Sequence, residues 1–388
     1  MKNIGIYVHI PFCVRKCAYC DFLSFEGKAD KQGPYIGALN REVDIMFEKY
    51  GIDEGTDYVV SSIYFGGGTP TSIKESYICD LLCKLKNVII SSSNMIFSEN
   101  PEITLEANPG TLSTKKLQSY LEMGISVISM GIQSFNDDVL RTLERIHNKE
   151  QAIEAFKMAS SVGFKKISID LMFAIPGQTM EMWVDTVRQA IELNPEHISL
   201  YSLEFMEGTK FDKLREDGMM NETDPDIDRR MYETALDMME EAGYVQYEIS
   251  NCAKPGFESK HNLKYWNLSE YIGFGPSAHS YYNHARYKNP SSIEEYVENP
   301  LNSECYSVNC LEDDIIEYTF TGLRKAEGIN LNSFYEKFGK VFWEFYGEDI
   351  HKEFNSFAET GFAEETEDRI HLTRKGFNIS NKIMGLFV

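Results

Sequence analysis

Eight cysteines punctuate the chain, and three of them, Cys13, Cys17 and Cys20, fall within the single segment YVHIPFCVRKCAYCDF. Their spacing is C-x3-C-x2-C. In a reducing compartment, clustered cysteines are metal ligands or catalytic thiols more often than disulfides. A structural zinc ion takes four ligands, usually as two separated pairs. Here three stand on one tight loop with no local fourth. A [4Fe–4S] cluster held by three thiolates leaves one iron free for a non-protein ligand, and an open iron is a binding site for chemistry. A zinc or redox loop is the competing reading of the same residues.

Short apolar runs that end in polar or glycine-rich turns must position this loop. Ile4 to Ile10, Ser62 to Phe65, Ile103 to Leu105, Val127 to Met130, Ile167 to Ile169 and Ile198 to Leu200 read as strands. Helical patterns such as Ile78–Leu81–Leu82–Leu85 lie between most of them. Strands alternating with helices predict βα units and a parallel sheet. Six such units suit a partial (β/α)6-type barrel of the α/β class, whose chemistry gathers at the C-terminal strand ends. The turns there read Cys13, GGGTPT, EANPG, GIQSF, DLMFAIPG and YSLE.

The expected organisation is a barrel with the cysteine loop over 1–215, a connecting segment over 216–300, and a C-terminal unit over 301–388. The connecting segment opens on polar sequence, continues as a helix from about Pro225 to Glu241, and carries HNLKYW. In the C-terminal unit, Glu312 to Leu323 and Leu331 to Phe338 read as helices, GFAEETEDRIHLT as a hairpin and Ile379 to Val388 as a last helix. Helix, hairpin and helix together resemble a winged-helix, α+β module.

Lys plus Arg number 38 against 60 Asp plus Glu, a formal charge of −22. That balance argues against a broad face for nucleic acid, and no nucleic-acid partner is expected. No apolar run reaches the roughly 18 residues a membrane span needs. The N-terminus MKNIGIYVHI lacks the apolar core and cleavage site of a signal peptide, so a cytoplasmic protein is expected. Peripheral membrane contact is left open.

The cysteine spacing, with an aromatic before the third cysteine on the loop after the first strand, resembles the radical S-adenosylmethionine superfamily. The resemblance implies that the open iron is chelated by the amino and carboxylate groups of S-adenosylmethionine, which can be cleaved reductively to a 5′-deoxyadenosyl radical. It also implies that Gly67, Gly68 and Thr69 contact the methionine moiety. Gln133, Arg145 and Asp170 match further cofactor positions, and Tyr7 and Tyr19 match aromatics beside the cofactor. Arginine is a natural bidentate partner for the methionine carboxylate. A carboxylate at Glu106 suits ribose hydroxyls. Read singly, Glu106 and Asp170 could be strand-end caps, Tyr7 a core residue and GGG an ordinary turn.

YVHIPFC, FGGGTPT, SMGIQSF, IDLMFAIPGQT and HNLKYW extend the resemblance nearly end to end, to the oxygen-independent coproporphyrinogen III oxidases and their relatives. In the oxidase branch, which turns two propionates into vinyls, a fourth cysteine stands where this chain has Phe22, and a substantial segment precedes the first strand. Here six residues precede Tyr7. The other branch, the HemW-type haem chaperones, shares CDF and the H-N-x-x-Y-W motif, present as His261, Asn262, Tyr265 and Trp266. This branch implies that the chain binds haem and passes it to an acceptor protein. Coproporphyrinogen III dehydrogenation is the enzymatic alternative, and a tRNA-modifying radical enzyme a third.

An imidazole can ligate haem iron, and flat rings can pack on a porphyrin. The expected haem ligand is therefore His261, with His279 and His9 as competitors. Lys254, Lys260, Lys264, Arg286 and Lys288 would face the propionates. The other reading has this motif locking the C-terminal region onto the barrel, with imidazole bonded to a carbonyl. Cys79 and Cys83 read as helix packing, and Cys305 and Cys310 as part of a strand without assigned function.

Overall fold

The computed structural model describes residues 1–49 and 56–388. Six strands appear in sequence order, side by side and parallel: β1 (Lys2–Ile10), β2 (Tyr58–Gly67), β3 (Met95–Ala107), β4 (Val127–Gln133), β5 (Lys166–Phe173) and β6 (His197–Ser202). Each contains one of the apolar runs and extends it, most of all β3, which begins at Met95, well ahead of the run at Ile103. Along β1 the pleat alternates. Ile4, Ile6, Val8 and Ile10 are fully buried against the outer helices, while Gly5, Tyr7 and His9 turn into the lumen against Lys264, Tyr64 and Gly67. Helix Glu75–Ser91 shows the complementary period, burying Ile78, Leu81, Leu82, Leu85 and Ile89.

The sheet is wider than the βα pattern implies. Beyond β6 it continues antiparallel through β8 (Asn251–Ala253) to β7 (Val245–Glu248). On the other flank β9 (Glu270–Phe274) joins β1 in parallel, followed antiparallel by β10 (His279–Tyr282), β11 (Ala285–Lys288) and β12 (Glu304–Val308). The two edges, β12 and β7, do not pair, so the barrel stays open. The stretch 216–300 thus feeds five strands into the same sheet.

The C-terminal part has its own aromatic core around Phe334, Phe342, Phe354 and Phe387. Helices Leu311–Gly322 and Leu331–Phe338 flank the first strand of a three-stranded sheet, β13 (Ile329–Asn330), which is completed by β14 (Ala363–Glu365) and β15 (Arg369–Leu372), with β15 central. The expected last helix is shorter, Ser380–Met384, and tightens into a 3-10 turn at Gly385. Cys310 is not in the strand with Cys305: it caps helix Leu311–Gly322, its N–H donating to Asp313 Oδ2 at 2.9 Å.

Candidate functional site

The cysteine loop folds over the C-terminal ends of the parallel strands because the glycine run of β2 ties it there. The N–H of Gly68 donates to Ile10 O at 3.0 Å and that of Thr69 to Phe12 O at 2.8 Å. A side chain at Gly67 would sit 2.6 Å from the His9 ring, and its φ of +113° disfavours any Cβ. One at Gly68 would meet Phe12 O at 2.9 Å and Cys13 Sγ at 3.1 Å. His9, beneath Gly67, has Nε2 2.9 Å from Leu23 O and Nδ1 3.0 Å from the Tyr7 hydroxyl. The carbonyl can only accept, so the imidazole carries its proton on Nε2 and Tyr7 donates to Nδ1.

Below the loop lies a cavity of about 520 Å³. Cys13, Cys17 and Cys20 line it together with Tyr19, Gly67, Gly68, Thr69, Glu106, Gln133, Arg145 and Asp170. Apart from Tyr7, the cofactor residues matched one by one along the sequence therefore meet around one space. All three thiols are unpaired in disulfides and partly exposed. Burial pushes the Cys20 thiol up to about 11 and raises that of Cys13. Among the described residues no three His, Cys, Asp or Glu are gathered as they would be around a single metal ion.

Arg145 is held from two sides, donating through one amino group to Cys17 Sγ at 3.2 Å and through the other to Gly131 O. Its Nε is buried with no partner, as is Oε1 of Gln133. Gln133 has a φ of +68°, a strained conformation for a residue with a side chain. The neighbouring His147, buried between Asn108 Oδ1 at 3.2 Å and Ile132 O at 3.1 Å, anchors the turn that presents Arg145. Buried polar atoms without partners are costly, and two of them on residues that line one cavity point to a place where a polar ligand would reorganise and complete the bonding.

The floor is made of carboxyls. Glu106 accepts from the Tyr64 hydroxyl at 2.8 Å and from the Gly67 N–H at 3.1 Å. Burial, with help from Asp170, pushes its acid constant up to about 7 against those two bonds. Burial also takes Asp170 up to about 6, opposed by Ser199 and Arg145. Sequence reasoning left out Asn108, Ser129, Met172 and Tyr201, which share the wall. The inward pleat of β3 to β6 would have signalled Ser129 and Tyr201.

Tyr7 and His261 lie elsewhere. Tyr7 lines an adjoining cavity on the β9 side, about 390 Å³ in volume, with Asp21 and Phe22 common to both spaces. His261 belongs to helix Lys260–Trp266, capped by Ser259 and inserted into the lumen under the upper cavity. It is 2% exposed. Its Nδ1 meets Ser62 Oγ at 2.9 Å, its Nε2 meets the Tyr265 hydroxyl at 3.0 Å, and its ring stacks on Tyr64 at 5.1 Å. Burial, then Lys264, lowers it to about 3, so it is neutral. As the chain folds here neither ring nitrogen is open to an iron. The partners are a hydroxyl pair, not the carbonyl expected of a packing histidine.

The cations expected around that motif are mostly engaged. Lys254 pairs with Glu196 at 3.3 Å, Arg286 with Glu317 at 2.6 Å, Lys264 reaches Asn3 Oδ1 at 2.5 Å and Lys260 reaches Asn100 O at 2.8 Å. Lys260 and Lys288 are both exposed with no ion pair among the described residues, and of the two only Lys288 also lacks a side-chain hydrogen bond there.

A parallel βα sheet carrying three cysteines on its first loop, above a cavity walled by an arginine, a glutamine and two carboxyls, defines a radical S-adenosylmethionine protein. The Radical SAM superfamily matches residues 7–190, and the HemN C-terminal domain matches residues 311–379. Heme chaperone HemW of Bacillus subtilis (strain 168) is 34% identical over 387 residues, 98% of each chain. Its namesake from Escherichia coli (strain K12) is 37% identical over 282 residues, 72% of this chain and 70% of that one. The chain belongs to the HemW family. The solved structure of coproporphyrinogen III oxidase HemN from Escherichia coli, at 22% identity, matches 100% of this chain and 90% of that one with a TM-score of 0.84, and shares the fold. No described helix is long and apolar enough to cross a membrane.

Proposed function

We propose that this chain is a cytoplasmic haem chaperone: it binds haem, passes it to an acceptor protein, and carries a [4Fe–4S] cluster on Cys13, Cys17 and Cys20 with exchangeable S-adenosylmethionine. The observation that carries the cofactor part is the pair of buried, unpartnered atoms, Arg145 Nε and Gln133 Oε1, on two residues that line the cavity under the cysteine loop. The haem part is supported by relatives named heme chaperones that match the chain along its full length.

When bound, the cluster and S-adenosylmethionine supply one-electron chemistry at an open iron. The chain's own residues bind and orient. Arg145, preset by Cys17 and Gly131, offers its guanidinium to the methionine carboxylate. Gly67 and Gly68 let backbone approach the ligand, with Thr69 at their rim. Gln133 and Asp170 offer polar atoms along one wall, and Tyr19 closes it. Glu106 sits where ribose hydroxyls can donate, in place of part of its present bonding.

Two anaerobic experiments on the reconstituted protein test this reading. Haemin titration is expected to give stoichiometric uptake. Incubation with S-adenosylmethionine, reductant and coproporphyrinogen III is expected to leave all carboxylates in place by mass spectrometry. Decarboxylated product without haem uptake would make the protein an oxidase despite Phe22.

A further inference from the structure

Phe22 is 64% exposed, an aromatic side chain turned to solvent on the rim shared by the two cavities. The cavity on the β9 side is walled by the rings of Tyr7, Tyr265 and Tyr271, with Leu23 beside them and His279 at the mouth. An open, aromatic-lined space of about 390 Å³ falls within the range used for cofactors and drug-sized ligands. A flat ligand could enter it in part and keep an edge outside, as a cargo that must be released requires.

We propose that haem seats in this cavity, its ring against Phe22 and its iron facing Nε2 of His279; this location rests on the haem-carrying reading above. The His279 imidazole is the feature that selects the ligand. It is exposed on β10, and its Nδ1 lies 3.2 Å from the Tyr306 hydroxyl on β12. The Tyr306 hydroxyl can accept from Nδ1–H, and in that tautomer the Nε2 lone pair is free, as metal-ligating histidines require. Nε2 has no partner among the described residues. Burial, then Lys288 and Arg286, lowers the acid constant of His279, which keeps the ring neutral.

Charge orients the ligand. Lys288 lies directly across from His279 in the β10–β11 register and is exposed and unpaired among the described residues. Arg286 is already bidentate to Glu317 and does not compete for a second anion. Asp21 stands on the opposite rim, beside Phe22, and repels a propionate from that side. The propionates therefore point toward Lys288, and the bare edge of the ring toward Phe22. His261, two-fold bonded inside the lumen, lies behind Tyr265 and holds the back wall through that hydroxyl.

The test is haemin and metal-free protoporphyrin IX binding to the full-length protein and to His279→Ala, Phe22→Ala and Lys288→Glu, with circular dichroism melting as the folding control. His279→Ala is expected to shift the haem absorption spectrum, weaken haemin at least tenfold and leave protoporphyrin unchanged. Phe22→Ala is expected to weaken both porphyrins alike, and Lys288→Glu to weaken both by a smaller factor that vanishes at high salt. If haemin binds the wild type and folded His279→Ala with the same spectrum and affinity, the location is wrong while the chaperone reading survives. If the wild type takes up no haemin, the chaperone reading itself fails.

Discussion

The upper cavity and the helix beneath it are both rich in polar and aromatic groups, yet they solve opposite problems. The His261 imidazole has both nitrogens bonded: Ser62 and Tyr265 take the ring, Glu102 accepts the His261 N–H at 3.4 Å, and Lys166 closes on Glu102 at 2.6 Å, while at the far end of the helix Trp266 Nε1 is buried without a partner. Around Arg145 the bonding is incomplete, with Arg145 Nε and Gln133 Oε1 buried and alone. A satisfied buried network specifies one packing, whereas an unsatisfied one is paid for only where a ligand completes it. Tyr64 joins the two, stacking on His261 while donating to Glu106. The lower region thus sets the floor of the upper one.

The largest effect should come from the loop. Cys17→Ala is expected to abolish the visible absorption of the reconstituted cluster, because three thiolates cannot be reduced to two. A normal spectrum in the triple variant with Cys13 and Cys20 would remove the loop as the cluster site. Arg145→Ala should leave the cluster in place and weaken S-adenosylmethionine by about 10–100-fold, the worth of a buried hydrogen bond to a charged group. Equilibrium dialysis reads that directly, and Arg145→Lys should recover only part, since an ammonium cannot bind bidentately.

His261→Ala sharpens the contrast from below. It strands Ser62 and Tyr265, at a cost of about 1–3 kcal/mol in unfolding free energy, measurable in urea. Unchanged stability with lost haem binding would overturn the packing role. The smallest effect is a slope. Glu106 has its acid constant raised from the ordinary 4.5 to about 7, so the folded chain holds a proton there that the unfolded chain has released. Stability from this group is full at acid pH and lost as pH rises through 7. Glu106→Gln should flatten the fall in melting temperature across that window, and gain stability at pH 8 while weakening S-adenosylmethionine. An unaltered pH profile would show that the carboxyl is not buried as described.

Much of this was legible in the chain. The six parallel strands announce themselves as apolar runs, and C-x3-C-x2-C and GGG lie on the turns that follow two of them. What the sequence hid is long-range. Arg145 meets Cys17 across 128 positions, and the seventh parallel strand β9 pairs with β1 although more than 250 residues separate them. Short, irregular strands such as Asn251–Ala253 carry no period to detect. HNLKYW reads equally as ligand or as packing because residue type does not report burial. Only the fold shows that its histidine faces inward, and that of the two exposed histidines on the flanking hairpin, His279 and His284, it is His279 that lines the cavity.

The most direct test is anaerobic titration of S-adenosylmethionine into the reduced, reconstituted protein, followed by electron paramagnetic resonance of the cluster. A ligand reaching the open iron under Arg145 should change the wild-type signal, with the change lost at the same concentration in Arg145→Ala. A wild-type signal indifferent to saturating S-adenosylmethionine would contradict the account.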